Sequence, residues 1–199
     1  MKKIILYTTL IFAFIMLAGC SKEEIFLTSD DVVSNTLLLK RDGTIYVAIV
    51  EDFDKGYYNL AELNEFISSE VEAYNQKVGS KEVTIEELNI KNSKAVMILG
   101  YTKLEHYSAF NNIPAAYFSA DTQNVALELP TQYIDTKSNK AVDRAAAMKS
   151  DKNKVLVLYE PYEIIVEGDI KFYSDNVTYV ENNKARSKSE DVAVLVYKP

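Results

Sequence analysis

Histidine and cysteine, the side chains that most often do chemistry near neutral pH, occur once each, at His106 and Cys20. An imidazole can serve as a general base, and His106 stands in Leu104-Glu105-His106-Tyr107-Ser108 with a serine two residues on. Residues two apart on a helix point to different faces, so His106 and Ser108 do not form a dyad, and His106 reads as a surface or structural residue. Asp52-Phe53-Asp54-Lys55-Gly56 opens like a calcium loop. Such a loop next needs an oxygen ligand, a glycine and, at its end, a glutamate, where this chain has Gly56, Tyr57 and Leu63, so it reads as a plain acidic loop. Ser174-Asp175-Asn176 is a short motif of acyl-transferring serine enzymes, but the Ser-x-x-Lys that would supply their nucleophile occurs nowhere, and the tripeptide reads as a turn. Glu51, Glu86, Glu87 and Glu128 are nominal carboxylates for glycoside hydrolysis, which depends on a spatial separation the sequence does not give. There is no Gly-x-Ser-x-Gly, phosphate loop or Gly-x-Gly-x-x-Gly. A zinc site would have to rest mostly on carboxylates, which zinc seldom uses alone. The expectation is a non-enzyme with no catalytic residue, metal or cofactor.

Cys20 has a different chemistry. Lys2 and Lys3 precede Ile4 to Ala18, a run without a charge. As a helix this run would span roughly 22 Å, short of the ~30 Å hydrocarbon core, and it fits a secretory apolar region better than a membrane span. At its end Leu17-Ala18-Gly19-Cys20 resembles the lipobox of bacterial lipoprotein precursors. Small side chains admit the peptidase between Gly19 and Cys20, and the free thiol takes a diacylglycerol thioether. The resemblance implies a signal peptide over residues 1–19, lipidation of Cys20 with palmitate-type chains, and a lipid-anchored protein on the membrane facing away from the cytoplasm. Two acyl chains anchor durably where one does not. The stretch from Val50-Glu51-Asp52-Phe53 through Tyr57-Tyr58 to Tyr74-Asn75 is similar to uncharacterised lipoproteins of low-GC Gram-positive bacteria, a likeness that brings no activity with it.

Hydrophobic content of 48% and charged content of 26% suit a globular body. The net charge is −7, and removal of Lys2 and Lys3 makes residues 20–199 more acidic still. Nucleic acid phosphates repel such a surface, so no nucleic acid partner is expected. Acids between 51 and 90 far outnumber Lys55, Lys77 and Lys81, whereas Lys137, Lys140, Arg144, Lys149, Lys152 and Lys154 form a locally basic strip against Asp143 and Asp151. Tyr57, Tyr58, Tyr159 and Tyr162 flank turns, where tyrosines often pack at the edge of a core or make contacts with proteins or sugars. Tyr57, Tyr58, Lys140 and Arg144 are the candidate partner face.

These residues need elements to hold them. Residues 20–34 read as a lipidated tether, with Ile25, Phe26 and Leu27 able to pack. Asp42-Gly43 between apolar runs predicts a hairpin. Ile45 to Val50 and Ala95 to Tyr101 are apolar on both alternations, as strands covered on both faces are. Leu63, Phe66, Ile67, Val71, Tyr74 and Val78 recur at helical spacing, with Asn59 and Glu62 suited to the cap and Gly79 to the stop, which predicts a long helix over 60–78. Val83 to Ile90 changes parity, which a bulge at Glu86-Glu87 would explain. A short helix is expected over 104–110, another near 139–149, and extended segments at 117–120, 125–129 and through the C-terminal third. The class expected is α+β, mainly antiparallel sheet with one long and one or two short helices. Its order is ββαββα followed by a strand-rich half, as one domain over 35–199 with possible lobes at 35–112 and 113–199. The functional expectation is an envelope lipoprotein with a non-catalytic domain that binds an envelope protein or a wall polymer; the alternative is a lipid-anchored hydrolase using paired carboxylates.

Overall fold

The computed structural model describes residues 25–122, 125 and 127–199. The lipobox, Cys20 and the signal segment lie outside the described residues. The described chain is α+β, with mostly antiparallel sheets and few helices.

The first sheet has seven strands, in spatial order β11 (Val177–Glu181), β12 (Lys184–Ser187), β9 (Glu163–Val166), β1 (Thr36–Leu39), β2 (Ile45–Asp52), β4 (Lys94–Tyr101) and β3 (Val83–Lys91). Its pairs are antiparallel except β1 with β9, in parallel register with Thr36 opposite Glu163. The second sheet is antiparallel throughout, in the order β5 (Ala116–Ser119), β8 (Lys154–Leu158), β13 (Ala193–Lys198), β10 (Asp169–Tyr173), β6 (Gln132–Asp135) and β7 (Lys140–Asp143). Strands from before and after residue 112 thus share the first sheet. Helix α1 (Leu60–Val78) joins β2 to β3, α2 (Leu104–Asn111) follows β4, and α3 (Arg144–Ala147) is a single turn after β7.

Local chemistry sets these elements. In the β1–β2 hairpin, Gly43 takes φ 93°, and Asp42 Oδ1 accepts from the Thr44 N–H at 2.9 Å. In β3, Ile85 faces Leu99 and Glu87 faces Ile98, so Glu86 is the extra residue of a bulge. The bulge resets the parity: Val83, Ile85 and Leu88 all join the main core, while Glu87 and Asn89 meet Ser29 of the N-terminal segment. Asn59 Oδ1 caps α1 by accepting from the Ala61 and Glu62 N–H groups, and Gly79, at φ 79°, ends it. Asn75 ties the end of α1 to β3, donating to the Val83 carbonyl and accepting from the Glu82 and Val83 N–H groups.

Two readings of the sequence change here. Over 139–149 the helix is only the turn Arg144–Ala147, because Asp143 Oδ1 caps it at the Ala146 N–H (2.7 Å) and the preceding residues pair with β6. Val125, Leu127 and Leu129 pack on the second sheet outside any described strand.

The main core lies between the sheets. Leu37, Leu39, Ile45, Val47, Ile164 and Val166 of the first meet Leu156, Leu158, Ile170, Leu195 and Tyr197 of the second, and Ile67, Val71, Leu104 and Tyr107 from α1 and α2 join them. On the far side of the first sheet, Leu27 and Val32 cover Ala48, Val96 and Ile98. Burial of Val32 alone contributes roughly 1.5–3 kcal/mol.

That N-terminal strap is pinned at Lys40, only 7% exposed, beside the hairpin turn. Its ammonium donates to the Ile25 carbonyl at 2.8 Å, pairs with Glu167 at 2.8 Å and lies 4.8 Å from the Phe26 ring centre. Burial raises the Glu167 carboxyl, but bonds from Lys40 and the Arg41 N–H outweigh it, and the group is held below its ordinary value. Such a carboxyl stabilises the fold above its unfolded pKa and loses that contribution as pH falls through the folded value. Glu167→Gln is therefore expected to cost about 1–2 kcal/mol at neutral pH, allowing for solvent screening of a partly exposed carboxyl. In urea denaturation the gap to the parent should close in acid, and hydrogen exchange should quicken over residues 25–33.

Candidate functional site

Burial fades along β2. Ile45 and Val47 are buried, Ile49 is half-buried, and Glu51 and Asp52 are exposed. At this fading end, the inner side of β2 and β4 and the first turns of α1 leave an open groove of about 560 Å³. Ile49, Ala95 and Met97 form its floor, Leu63, Phe66 and Ile67 its helical wall, and Phe53, Tyr57 and Tyr58 its aromatic end, with Glu51, Asn59 and Glu62 among the lining.

The aromatic end is preorganised. The Phe53 N–H donates to the Ser93 carbonyl (2.7 Å), the Tyr58 N–H to the Lys55 carbonyl (3.0 Å), and the next residue, Asn59, is fixed as the helix cap. The rings support each other: Phe53 and Tyr58 lie 5.0 Å apart and tilted, and Tyr57 meets Tyr58 edge-on at 4.9 Å. Yet Tyr57 is 77% exposed and Phe66 63%. Exposed aromatic rings gathered round one groove make it the candidate binding surface of the described residues. Phe66 is a correction to the helical face read from sequence. Its neighbour Ile67 is buried, and Phe66, about 100° round the helix from it, stands at the margin of the face that packs on the sheet.

The candidate partner face divides. Tyr57 and Tyr58 line the groove; Lys140, the first residue of β7, and Arg144, the first of α3, are exposed on the second sheet and do not line it. Tyr162 is buried, its hydroxyl 3.0 Å from that of Tyr107, and Tyr159 packs on the second sheet, so neither adds to a binding face. Cys20 and Gly19 lie outside the described residues.

His106 has partners that sequence reasoning missed. Its Nδ1 lies 3.0 Å from the Tyr74 hydroxyl and its Nε2 3.2 Å from a Glu82 carboxylate oxygen. Glu82 also accepts from Ser80 (2.6 Å) and from Thr102. The order phenol, imidazole, carboxylate is that of a hydrogen-bonded triad. Burial and then the Glu82 charge push the Tyr74 phenol above its ordinary value, so it stays protonated. Hydrogen bonds from Ser80 and Thr102 hold Glu82 low, so it stays charged. The trio joins α1, α2 and the approach to β3, and Ser108 is engaged with the Ile113 carbonyl at 2.6 Å. No local spacing signals these partners, which come from other elements.

The remaining motifs are structural. Ser174 Oγ accepts from the Val194 N–H at 2.9 Å and ties β10 to β13. Asp52 and Asp54 pair with Lys94 and Lys55. Lys94 draws the Asp52 carboxyl down, the opposite of what a general acid requires. Of the nominal hydrolytic carboxylates, Glu51 lines the groove, Glu86 sits in the bulge bonded to Thr84, Glu87 accepts from Ser29, and Glu128 lies outside any described strand. Among the described residues no group of three or more His, Cys, Asp or Glu converges as a metal ion would need. No described helix is long and apolar enough to cross a membrane.

No protein-family model matches the chain, and neither a curated protein nor a solved structure matches it. The groove can therefore be tested only on its own physics. Phe66→Ser is expected to change stability by less than about 0.5 kcal/mol, because the ring touches solvent more than protein. Its neighbour's truncation, Ile67→Ala, should cost about 2–4 kcal/mol by opening a cavity against the sheet. Paired urea titrations check this; a large loss from Phe66→Ser would mean that the ring supports the core and is not held ready for a partner.

Proposed function

We propose that the protein is a membrane-anchored cell-envelope lipoprotein. It is cut before Cys20 and acylated there, it is held outside the cytoplasm, and it binds another envelope component through the groove of a non-catalytic domain. In this reading the ββαββα run, built round its one long helix, is the binding half of a single domain over 35–199, and the strand-rich half is its support. Of the lipidated tether over 20–34, the part from Ile25 onward includes Leu27 and Val32, which pack on the sheet.

The observation that carries the binding reading is the exposed aromatic surface of Tyr57, Tyr58 and Phe66 on a loop and helix already fixed by their own hydrogen bonds. Binding by preorganised aromatic groups loses little conformational entropy. The geometry suits a tethered binder. Lys40 pins Ile25 and Phe26 beside the β1–β2 turn, and the five steps from Cys20 to Ile25 reach at most about 18 Å. The groove begins at Ile49, about 13 Å along β2 from Ile45, and extends away from that turn. The pinned start of the strap and the groove therefore lie toward opposite ends of the same strand. Paired-carboxylate hydrolysis is the weaker reading, since Glu51 shares an open, mainly apolar groove with Glu62, whose Oε1 is already bonded to the helix cap Asn59.

The anchoring half of the proposal is tested by Cys20→Ala. Expressed in a Gram-positive host with labelled palmitate, the parent chain should appear in the membrane fraction, labelled and shortened at its N-terminus, and globomycin should block the shortening. Cys20→Ala should remain at precursor size without label. Equal size and equal fractionation of the two would sink the lipoprotein reading.

A further inference from the structure

The groove's charge says what should enter it. Its polar lining is Glu51, Asn59 and Glu62. Asn59 is committed, its oxygen to the Ala61 and Glu62 N–H groups and its amide nitrogen to Glu62 at 3.1 Å. Glu51 stands two residues beyond Ile49 on the same side of β2, opposite Ala95, and is exposed with no hydrogen-bonded or ion-paired partner among the described residues. The nearby lysines form their ion pairs with other acids, Lys94 with Asp52 at 2.7 Å and Lys55 with Asp54 at 3.1 Å, although Lys94 also feels the Glu51 charge. Glu65, one residue before Phe66, adds another exposed carboxylate. The groove is thus an apolar, aromatic slot whose rim keeps an excess of negative charge.

We infer that this groove takes an amphipathic segment of a partner polypeptide in which apolar anchor side chains at helical spacing are flanked by lysine or arginine, a reading that rests on the binding role proposed above. Apolar anchors fill the floor of Ile49 and Met97 against Phe66, as in groove recognition of amphipathic segments. A neighbouring cation then reaches Glu51 or Glu62, and the open face of Tyr57 offers a further cation–π contact. Other occupants fit less well. Anionic lipid headgroups and polyphosphate wall polymers meet like charge. A neutral glycan needs several hydrogen-bonding groups around its aromatic platform, and here Asn59 is spent on the helix cap and one Glu62 oxygen on Asn59, which leaves the Glu51 carboxylate and the tyrosine hydroxyls. An aromatic cage for a quaternary ammonium needs space between its rings, whereas Phe53, Tyr57 and Tyr58 pack against one another.

The test uses the full-length lipidated protein in nanodiscs of zwitterionic lipid, with empty nanodiscs as the control. The probes are fluorescein-labelled synthetic peptides carrying Leu and Phe anchors at helical spacing, flanked by Lys, by Glu or by Ser, and anisotropy reads the Kd. The Lys-flanked peptide should bind most tightly and weaken as salt rises. Glu51→Gln, and separately Tyr57→Ala combined with Phe66→Ala, should each weaken it by about tenfold while the melting temperature stays near that of the parent. Equal binding of Lys- and Glu-flanked peptides would overturn the inference, as would binding unmoved by the groove variants or no binding of any peptide. Sedimentation showing self-association that Phe66→Ser abolishes would overturn it in favour of a second copy of the chain. If the peptides fail while photo-crosslinkers at positions 57 and 66 still capture a wall polymer in cells, the inference falls and the broader binding role stands; if crosslinking at those positions also yields nothing, both fall.

Discussion

Strands β2 and β4 are apolar on both faces, and the rest of the structure follows from the need to cover them. On one face Val47 and Leu99 require a layer, and the second sheet with α1 and α2 supplies it. On the other, Ala48, Val96 and Ile98 require a second layer, and the strap carrying Leu27 and Val32 supplies that. A sheet wetted on either side would expose several large apolar side chains. The strap is therefore both the start of the folded body and its outer cover, and the Lys40–Glu167 pair keeps it seated. Where the inner cover runs out, at the end of β2, the same apolar side chains become the floor of the groove. Core and candidate site are one surface, separated only by where the packing stops.

Local chemistry was legible in the sequence, and long-range pairing was not. Asp42-Gly43 announces its hairpin because the turn selects residues that tolerate positive φ, whatever the remainder of the chain does. The bulge in β3 is readable because Val83 and Ile85 fall on one parity and Leu88 on the other, while all three must reach the same core. The α+β class with mainly antiparallel sheet follows from counting such segments. The parallel union of β1 with β9 is invisible, since nothing in Thr36–Leu39 specifies a neighbour from the other end of the chain. For the same reason the joining of early and late strands in one sheet could not be read from composition. Over 139–149 an alanine run suggested more helix than Asp143 permits, because a strong cap fixes where a helix begins.

The candidate site was half legible. Tyr57 and Tyr58 stand between an acidic loop and a helix cap, a place where aromatic rings are only partly covered, and the structure puts both in the groove. Phe66 was hidden by periodicity, which assigns a broad apolar stripe without saying which of two adjacent residues touches the sheet. Lys140 and Arg144 were found by charge, but charge along the chain does not say on which sheet a residue lies. The partners of His106 come from α1 and the approach to β3, and no sequence spacing links them. Their arrangement ties three elements together through one imidazole, with Tyr74 pushed toward keeping its proton and Glu82 toward giving its proton up.

The groove is also where local rules conflict with economy of structure, and such conflicts point to function. Replacement of Phe66 and Tyr57 by polar residues would remove exposed apolar surface at little cost to the core, since both rings touch solvent more than protein. An acidic rim discourages non-specific association of that surface with anionic material and leaves it open to groups of the opposite charge. Solubility and selectivity are then served by the same carboxylates. Glu51 illustrates the point most directly: on a strand end, beside an apolar floor and without an ion-paired partner among the described residues, it adds little to the fold and much to the charge of the groove.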